Sequence, residues 1–303
     1  MLLARSHSLA RSLHRARERT IECFLLLAAL SSVGITGGIV GILFYESLPF
    51  FRHVSLVAFF TDPLWTPLFA DPHFGILPLV VGTSMITAIA LLVALPVGTI
   101  TAIYLSEYAP HRLREAVKPV LELLSAVPTV VYGYFALLFV TPLLQQVLPG
   151  LPGFNMLSAG LVVGVMIIPY VSSLSEDAMR AVPMQIREGS YAVGATRLQT
   201  ALRVVAPAAL SGIASAYVLG FSRAIGETMV VAIAAGMQPN LTWNPMEPAA
   251  TITAFIVQVS LGDLPHGSVG YQSIFAAGLT LLLMTLVFNI TGHLLRKRFR
   301  EVY

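Results

Sequence analysis

Long runs of apolar residues, separated by shorter polar stretches, dominate this 303-residue chain. A helix that crosses the hydrocarbon core of a bilayer needs about 20 predominantly apolar residues. The chain contains runs of that length, and they predict an all-α integral membrane protein with six transmembrane helices. The runs span about 21–45, 76–105, 119–144, 156–175, 204–236 and 274–295. The longer runs are expected to tilt or to extend past the membrane surface.

A further apolar stretch, Ala249 to Leu261, is too short to cross a bilayer. Prolines bracket this stretch at Pro245, Pro248 and Pro265. Proline interrupts the hydrogen-bond ladder of a helix, so these positions limit the helix to the stretch between them. The pattern therefore predicts a short helix at or outside the membrane interface.

Basic residues fall almost entirely in the loops on one side of a bundle of six helices. The Lys and Arg residues on that side are Arg5, Arg11, Arg15, Arg17, Arg19, Arg112, Arg114, Lys118, Arg180, Arg187, Arg197, Arg203, Arg296, Lys297, Arg298 and Arg300. The opposite loops contain only Arg52, and Arg223 lies inside the fifth run. Because basic loops are retained in the cytoplasm, both termini are predicted to be cytoplasmic. Residues 1–20 are interpreted as a basic cytoplasmic N-terminus and 21–303 as a single transmembrane domain.

The composition supports a membrane protein and narrows its chemistry. Hydrophobic residues make up 56% of the chain and charged residues 11%, whereas soluble domains carry about 25% charged residues. The net charge of +3 comes with no basic face outside the short loops, which argues against nucleic-acid binding. Cys23 is the only cysteine, so an intramolecular disulfide is excluded. The histidines show no metal-ligand spacing.

The chain lacks the phosphate-binding loop of nucleotide hydrolases. Neither lysine, Lys118 or Lys297, follows the glycine spacing of that loop. No catalytic residue and no bound cofactor are therefore predicted. Active transport by this chain would need a partner or an ion gradient as its source of energy.

The stretch 176–203, between the fourth and fifth runs, is long for a connector and contains a short amphipathic helical pattern. It could be a polar connector whose charges only fix the topology. Its spacing, however, resembles a motif in permeases of bacterial ATP-binding-cassette importers: Glu-Ala-Ala, three residues, Gly, nine residues, Ile-x-Leu-Pro. The matching residues here are Glu188, Gly189, Ser190, Gly194, Val204, Ala206 and Pro207. Gly189 and Ser190 replace the two alanines of the motif.

That resemblance implies a type I importer permease bundle in which this stretch forms a coupling helix. In the family, the coupling helix docks in a groove of a cytoplasmic ATPase. By resemblance, the residues expected to contact the ATPase are Glu188, Gly189, Ser190, Gly194, Arg197 and Pro207.

Other segments resemble the phosphate-specific transport permeases. They are FGILPLVVGT (74–83), LELLSAVPTVVYG (121–133) and SRAIGETMVVAIAAG (222–236). Within this group, the segment 226–231 (GETMVV) is similar to the C-type subunit, the PstC family. The resemblance implies an inner-membrane permease that pairs with a sibling A-type permease. It also implies two cytoplasmic ATPase subunits, which use ATP and Mg²⁺, and a periplasmic phosphate-binding protein.

Arg223 and Glu227 are the charged residues inside the fifth run. Four residues apart, they are expected to meet on one face of a helix. A charge within a membrane usually faces a partner or a cavity. The pair could simply neutralise itself, or Arg223 could bind a phosphate oxyanion while Glu227 orients it. Ser222 and Thr228 are weaker candidates for lining the pathway, since their hydroxyls could equally bond to the helix backbone.

Several alternatives stay open from the sequence. The cargo could be another oxyanion, such as molybdate or sulfate. The chain could also be a gradient-driven secondary transporter or channel, or a phosphate-sensing scaffold. Gly160 and Gly164 form a Gly-x-x-x-Gly pattern in the fourth run, which predicts close helix packing without any further function.

Overall fold

A computed structural model describes residues 17–69, 71–262, 264, 265, 267–294 and 297 in full. It also describes the helical backbone of residues 2–16, 295, 296 and 298. Within these ranges the chain is built from helices, and its only β-type pairings are the isolated bridges Trp65–Phe74 and Gly236–Ala249. The all-α fold class predicted from the sequence is confirmed.

The helices follow one another along the chain with short connections at most junctions. They are α1 (Leu2–His53), α2 (Leu56–Thr61), α3 (Leu77–Ile103), α4 (His111–Ala126), α5 (Thr129–Phe135), α6 (Thr141–Val147), α7 (Met156–Arg180), α8 (Met184–Ala192), α9 (Arg197–Thr200), α10 (Ala206–Ala208), α11 (Leu210–Ile225), α12 (Met229–Ala234), α13 (Ile252–Ser260) and α14 (Val269–Arg298). Turns of π-helix extend α3 and join α5 to α6 and α9 to α10; they are Tyr104–Tyr108, Ala136–Val140 and Ala201–Val205.

Five helical segments among the described residues are long and apolar enough to cross a membrane. They are Arg17–His53, Leu77–Tyr108, Thr129–Val147, Met156–Arg180 and Val269–Leu294. A bent pair, Arg197–Ala208 with Leu210–Ile225, also meets the criterion when it is taken as one span. With the bent pair included, the described part of the chain has the predicted six spans.

The run 119–144 is divided into two helices at Pro128. α4 ends at Ala126, and Val127 and Pro128 are extended, with ψ angles of 131° and 133°. The side chain of a proline disfavours helical geometry in the residue before it, which accounts for the break. α4 buries none of its residues, and the apolar span begins only at α5.

The run 204–236 is also divided, and the prediction of one helix there is wrong. The two halves of the bent pair meet at Ala209 at an angle of 73°, just after Pro207, which cannot donate a backbone hydrogen bond. α11 then ends at Gly226, and α12 is a separate short helix. The glycine has low helix propensity and takes φ −90° and ψ 0° there.

The centre of the bundle is the contact between α3 and α7. A Cβ on Gly160 would lie 2.7 Å from the Ile89 Cβ, and one on Gly164 would lie 2.8 Å from the Ala90 carbonyl oxygen. Only glycine allows the backbones to approach this closely, as the Gly-x-x-x-Gly pattern predicted. The apolar core around this contact also includes residues of α12.

The short helix predicted between the prolines is present as α13. Its N-cap Thr251 accepts a hydrogen bond from the Ala254 amide, and the Ile252 amide donates to the Thr83 hydroxyl at 3.1 Å. The buried aromatic residues Trp65 and Phe255 meet edge to face at one end of the bundle. The other end, which carries α8, α9 and most of the described basic residues, is called the basic end below.

Candidate functional site

Arg223 lies in the last turn of α11, within the bundle. Its guanidinium carbon is 4.6 Å from the centre of the Tyr170 ring on α7. Such a cation–π contact stabilises a charge in apolar surroundings. The Arg223 Nε is buried and has no hydrogen-bond partner among the described residues. A buried donor without a partner costs free energy. The Nε–H group of Arg223 can therefore donate to a ligand without breaking an internal hydrogen bond.

Glu227 does not form the predicted pair with Arg223. Because α11 ends at Ile225, the two residues do not share a helical face, and no ion pair within 4.0 Å joins them in the described structure. Glu227 is 7% exposed. Its Oε1 accepts a 3.3 Å hydrogen bond from the Val230 amide in the first turn of α12. Its backbone carbonyl accepts one of 2.7 Å from the Thr253 hydroxyl. Glu227 therefore joins α12 to α13 rather than orienting Arg223.

The hydroxyls of Ser222 and Thr228 bond to nearby backbone. Ser222 Oγ donates to the Val218 carbonyl at 2.9 Å and lies 3.2 Å from Asn289 Oδ1. Thr228 Oγ1 donates to the Gly226 carbonyl at 3.2 Å. Of the two explanations that the sequence left open for these residues, the geometry favours the structural one.

Tyr170 is the functional candidate that the sequence reasoning missed. Besides its contact with Arg223, it lines a cavity of about 250 Å³ together with Glu122 and Ser125 of α4. Its hydroxyl donates to the Ser125 carbonyl at 3.4 Å. The only local signal was its position next to Pro169 in an apolar run, which does not show what the ring faces.

The predicted coupling residues lie at the basic end of the bundle. Glu188 and Gly189 are exposed on α8, and the Ser190 hydroxyl is 2.8 Å from that of Thr200. Gly194 has φ +84°, a left-handed conformation that favours glycine. Arg197 is exposed in the first turn of α9, and Pro207 lies in α10. The helix–turn–helix of α8 and α9 thus replaces the single short helix that the sequence suggested.

Exposed apolar side chains surround these residues. Val193 is 85% exposed and Leu198 54% exposed, and Met184 and Tyr191 are also exposed. Exposed apolar patches of this kind are typical of sites that interact with another protein or with lipid.

A buried ion pair anchors the predicted coupling segment, residues 176–203, to the π-helical end of α3. Arg187 of α8 donates to Glu107 at the end of the π-turn, with a shortest N–O distance of 3.1 Å. Their side chains are 11% and 5% exposed. Arg187 also donates to the carbonyls of Met179 and Val182. Arg187 therefore ties α8 to the end of α3 and to the end of α7.

A second group of charges joins α4 to α7. Glu176 is 2% exposed and pairs with Lys118 at 3.1 Å, with Arg114 at 3.9 Å and with Arg180 at 3.8 Å. Lys118 also lies 2.6 Å from Asp177. Its hydrogen bond to Asp177, although partial burial opposes it, raises the pKa of Lys118 above the ordinary 10.5. Glu122, which follows Lys118 by four residues on α4, is not among the ion-pair partners of Lys118 in the described structure.

At the opposite end, His73 pairs with Asp62 through Nδ1 and Oδ2 at 2.9 Å. This hydrogen bond, although desolvation acts against it, raises the pKa of His73 above the ordinary 6.5. Burial acts to raise the pKa of Asp62, but the hydrogen bonds from His73 and from the Leu64 amide outweigh it and leave that pKa below 3.8.

The comparison with protein families decides the class of this bundle. Residues 94–301 match the family described as the inner membrane component of binding-protein-dependent transport systems. The chain belongs to this family. It is thus a multi-pass membrane transport subunit rather than a hydrolase, as the missing phosphate-binding loop predicted.

Curated relatives extend the match over most of the chain. A probable ABC transporter permease protein, YqgH of Bacillus subtilis, is 36% identical over 95% of this permease and 93% of its own length. A probable phosphate transport system permease protein PstC of Methanocaldococcus jannaschii is 30% identical over 87% and 88%. PstC 1 of Mycobacterium tuberculosis is 35% identical over 77% and 74%. The predicted resemblance to the PstC family is confirmed.

Solved structures show the same fold. A chain of a bacterial ABC transporter for the acidic polysaccharide alginate aligns with a TM-score of 0.64, covering 95% of this permease and all of that chain at 17% identity. A chain of the MetNI methionine transporter aligns with a TM-score of 0.55, covering 75% of this permease and 95% of that chain. The type I importer bundle predicted from the coupling motif is therefore the fold of this chain.

Proposed function

We propose that this permease forms half of the translocation pathway of an ATP-driven phosphate importer. Several relatives that are at least 30% identical over most of the chain carry the name phosphate transport system permease protein. The structural observation that carries the proposal is Arg223, whose buried Nε has no internal partner.

Arg223 suits a phosphate oxyanion for chemical reasons. A guanidinium is always charged and offers a planar fork of donors to two oxygens of the same anion. Tyr170 stabilises the charge through its ring face and does not use the N–H donors. The guanidinium can then bind an oxyanion in one state of the bundle and rest on the ring in another. Glu227 does not contact Arg223 in this proposal; it positions α12 through its bond with the Val230 amide.

The surface of α8 and α9 supports docking of a cytoplasmic ATPase. Exposed Val193 and Leu198 provide an apolar contact at the tip of the segment. The Arg187–Glu107 pair makes α8 a rigid lever, because its base is tied to α3. Interfaces that transmit motion need such stiffness. Glu188, Gly189, Ser190, Gly194 and Arg197 lie on this segment, and Pro207 follows it at the bend.

The complete importer that we propose contains further subunits. A sibling A-type permease forms the other half of the pathway, and two ATPases bind ATP and Mg²⁺ and supply the energy. A periplasmic phosphate-binding protein delivers the cargo at the end that contains Trp65. The basic end and both termini face the cytoplasm, as the distribution of Lys and Arg indicates.

Uptake by the assembled importer in proteoliposomes tests the proposal. We expect ATP-dependent uptake of labelled phosphate that requires the binding protein, and only weak competition by sulfate or molybdate. Stronger competition by either of those anions would assign the cargo to that anion instead. Uptake that proceeds without the ATPase would contradict an ATP-driven importer.

The variant Arg223→Gln tests the residue that carries the proposal. It removes the charge and keeps the side-chain length close, so uptake is expected to fall at least about tenfold, which corresponds to about 1.4 kcal/mol. Ser222→Ala is a matched control one residue away, because the Ser222 hydroxyl already bonds to the Val218 carbonyl. Parental uptake by Arg223→Gln would remove this residue from the pathway.

A further inference from the structure

A second cavity, at the basic end, lies outside the pathway described above. Its volume is about 660 Å³, and its walls come from the end of α3, from α4, from the end of α7 and from α8 and α9. Arginines from these separate elements line it: Arg114, Arg180, Arg187 and Arg197. Pockets of this size accommodate small ligands.

Three of the arginines in this cavity keep side-chain donors that make no hydrogen bond within the described residues. Arg187 is fully engaged with Glu107 and backbone carbonyls, so it forms part of the wall. Arg114 and Arg180 approach the same oxygen of Glu176, at 3.9 and 3.8 Å, and neither donates a hydrogen bond within the described residues. The Arg197 side chain has neither an ion pair nor a hydrogen bond in that part of the chain.

The local charges leave the cavity positive. Glu176 pairs with both Arg114 and Arg180, and Lys118 is shared between Glu176 and Asp177 at 3.1 and 2.6 Å. Glu107 is neutralised by Arg187. The cations around the cavity therefore outnumber the carboxylates by five to three; they are Arg114, Lys118, Arg180, Arg187 and Arg197 against Glu107, Glu176 and Asp177. Guanidinium groups that surround a cavity from several sides favour a tetrahedral oxyanion with oxygens directed at each.

We propose that this cavity binds a phosphate-type oxyanion at the cytoplasmic end of the permease. The anion is either free inorganic phosphate or the phosphate of a lipid headgroup, because the same guanidinium donors recognise both. The site does not depend on the cargo of the pathway, since it is defined by its own residues. A bound anion would join α4, the end of α7 and α9, and would restrict movement of the coupling segment.

Phosphate binding to the full-length chain in nanodiscs tests this proposal. The Arg223→Gln background removes the pathway residue, so any saturable binding of labelled inorganic phosphate in zwitterionic lipid comes from elsewhere. We expect one binding site at low ionic strength. Arg197→Gln, which changes an exposed and unpaired side chain, should weaken binding at least about tenfold. Arg114→Gln should have a similar effect, while Arg203→Gln serves as the control because Arg203 lies outside the cavity.

The lipid arm of the experiment repeats the titration with phosphatidylglycerol in the nanodiscs. If this lipid displaces phosphate and is retained by the parental chain but not by Arg197→Gln, the proposal holds with a headgroup as the ligand. Absence of binding in both arms would overturn it, as would equal binding by the Arg197→Gln and Arg203→Gln variants. Loss of phosphate when the ATPase is added would also overturn it, because protein would then fill the cavity in the importer.

Discussion

At the residue scale, the structure mainly adds the partners of the buried charged residues. Arg187 and Glu107 are 80 positions apart, and their side chains are almost fully buried against each other. A buried ion pair is strongly destabilised when one partner is removed, because the remaining charge has no water around it. The pair is therefore a sensitive point in the attachment of the coupling segment.

Replacement of Glu107 by Gln is expected to destabilise the chain by about 3 kcal/mol. The variant leaves the Arg187 charge buried without a counter-charge, because the glutamine amide oxygen and the backbone carbonyls that can accept from it are neutral. Thermal unfolding in detergent measures the effect. Glu115→Gln is the control, since Glu115 is an exposed carboxylate on α4. The double variant Glu107→Gln with Arg187→Met should recover part of the loss, and a double variant less stable than Glu107→Gln would contradict this account.

The His73–Asp62 pair predicts a pH dependence in the loop before α3. The pKa of His73 is raised, so its contribution to stability is complete below about pH 6.5 and is lost as the pH rises through the higher folded value. The pKa of Asp62 is lowered, so its contribution is present above about pH 3.8 and is lost as the pH falls through the lower folded value. Hydrogen exchange of the amides in 62–76 should therefore be slower at pH 5.5 than at pH 8.5, after correction for intrinsic exchange.

His73→Gln should abolish this corrected difference between the two pH values. Asp71 is the other charged group near the ring, 3.8 Å from Nε2, and it acts in the same direction as Asp62. His53→Gln is the control, because the His53 ring contacts only the Pro49 carbonyl among its described hydrogen-bond partners. A pH dependence that survives in His73→Gln would show that another group titrates.

At the element scale, close helix packing decides which glycines cannot be replaced by a larger residue without loss of stability. Gly164 on α7 faces the Ala90 carbonyl, whereas Gly34 on α1 has nothing within 4 Å of the position of a Cβ. Both glycines lie in apolar helices, and the composition around them does not separate them. Only the partner helix makes a side chain at Gly164 impossible without a shift of the backbone.

We expect Gly164→Val to destabilise the isolated chain by roughly 1–3 kcal/mol through overpacking of α3 against α7. Gly34→Val provides the matched control, with an expected change close to zero or slightly stabilising in the helix. Unfolding of both variants in the same detergent makes the comparison. Equal loss of stability in the two variants would contradict this account, because Gly34 has no packing partner at the position of a Cβ.

At the scale of the whole molecule, the orientation in the membrane governs every functional assignment. The coupling segment and the arginine cavity are at the basic end, while Trp243 lies in the connection between α12 and α13. The positive residues predict that the basic end is cytoplasmic. Exposed residues at both ends of the bundle allow the orientation in the membrane to be measured directly.

Labelling of single cysteines with a membrane-impermeant maleimide tests this orientation. In a Cys23→Ser background, Val193→Cys should react only after the membrane is made permeable, and Trp243→Cys should react in intact cells. Val193 and Trp243 are 85% and 70% exposed, so access is not limited by packing. Reaction of Val193→Cys in intact cells would place the coupling segment outside and would overturn the proposed function.

Much of the fold follows from local patterns. Apolar length predicts the spans, because a helix in lipid must satisfy its backbone internally over about 20 residues. The prolines around α13 and the Gly-x-x-x-Gly pair also predict local geometry correctly. The runs 119–144 and 204–236 are predicted as spans, but hydropathy does not give the geometry of the break at Pro128 or the bend near Pro207.

The sequence alone therefore determines the membrane class, the number of spans, the coupling motif and the absence of a nucleotide-binding loop. Each of these depends on residue types along a short stretch. Tertiary structure decides that Arg223 faces Tyr170 rather than Glu227. It also brings Glu107 to Arg187 and gathers arginines from separate elements around one cavity. Those contacts join distant segments, and their geometry exists only once the helices have packed.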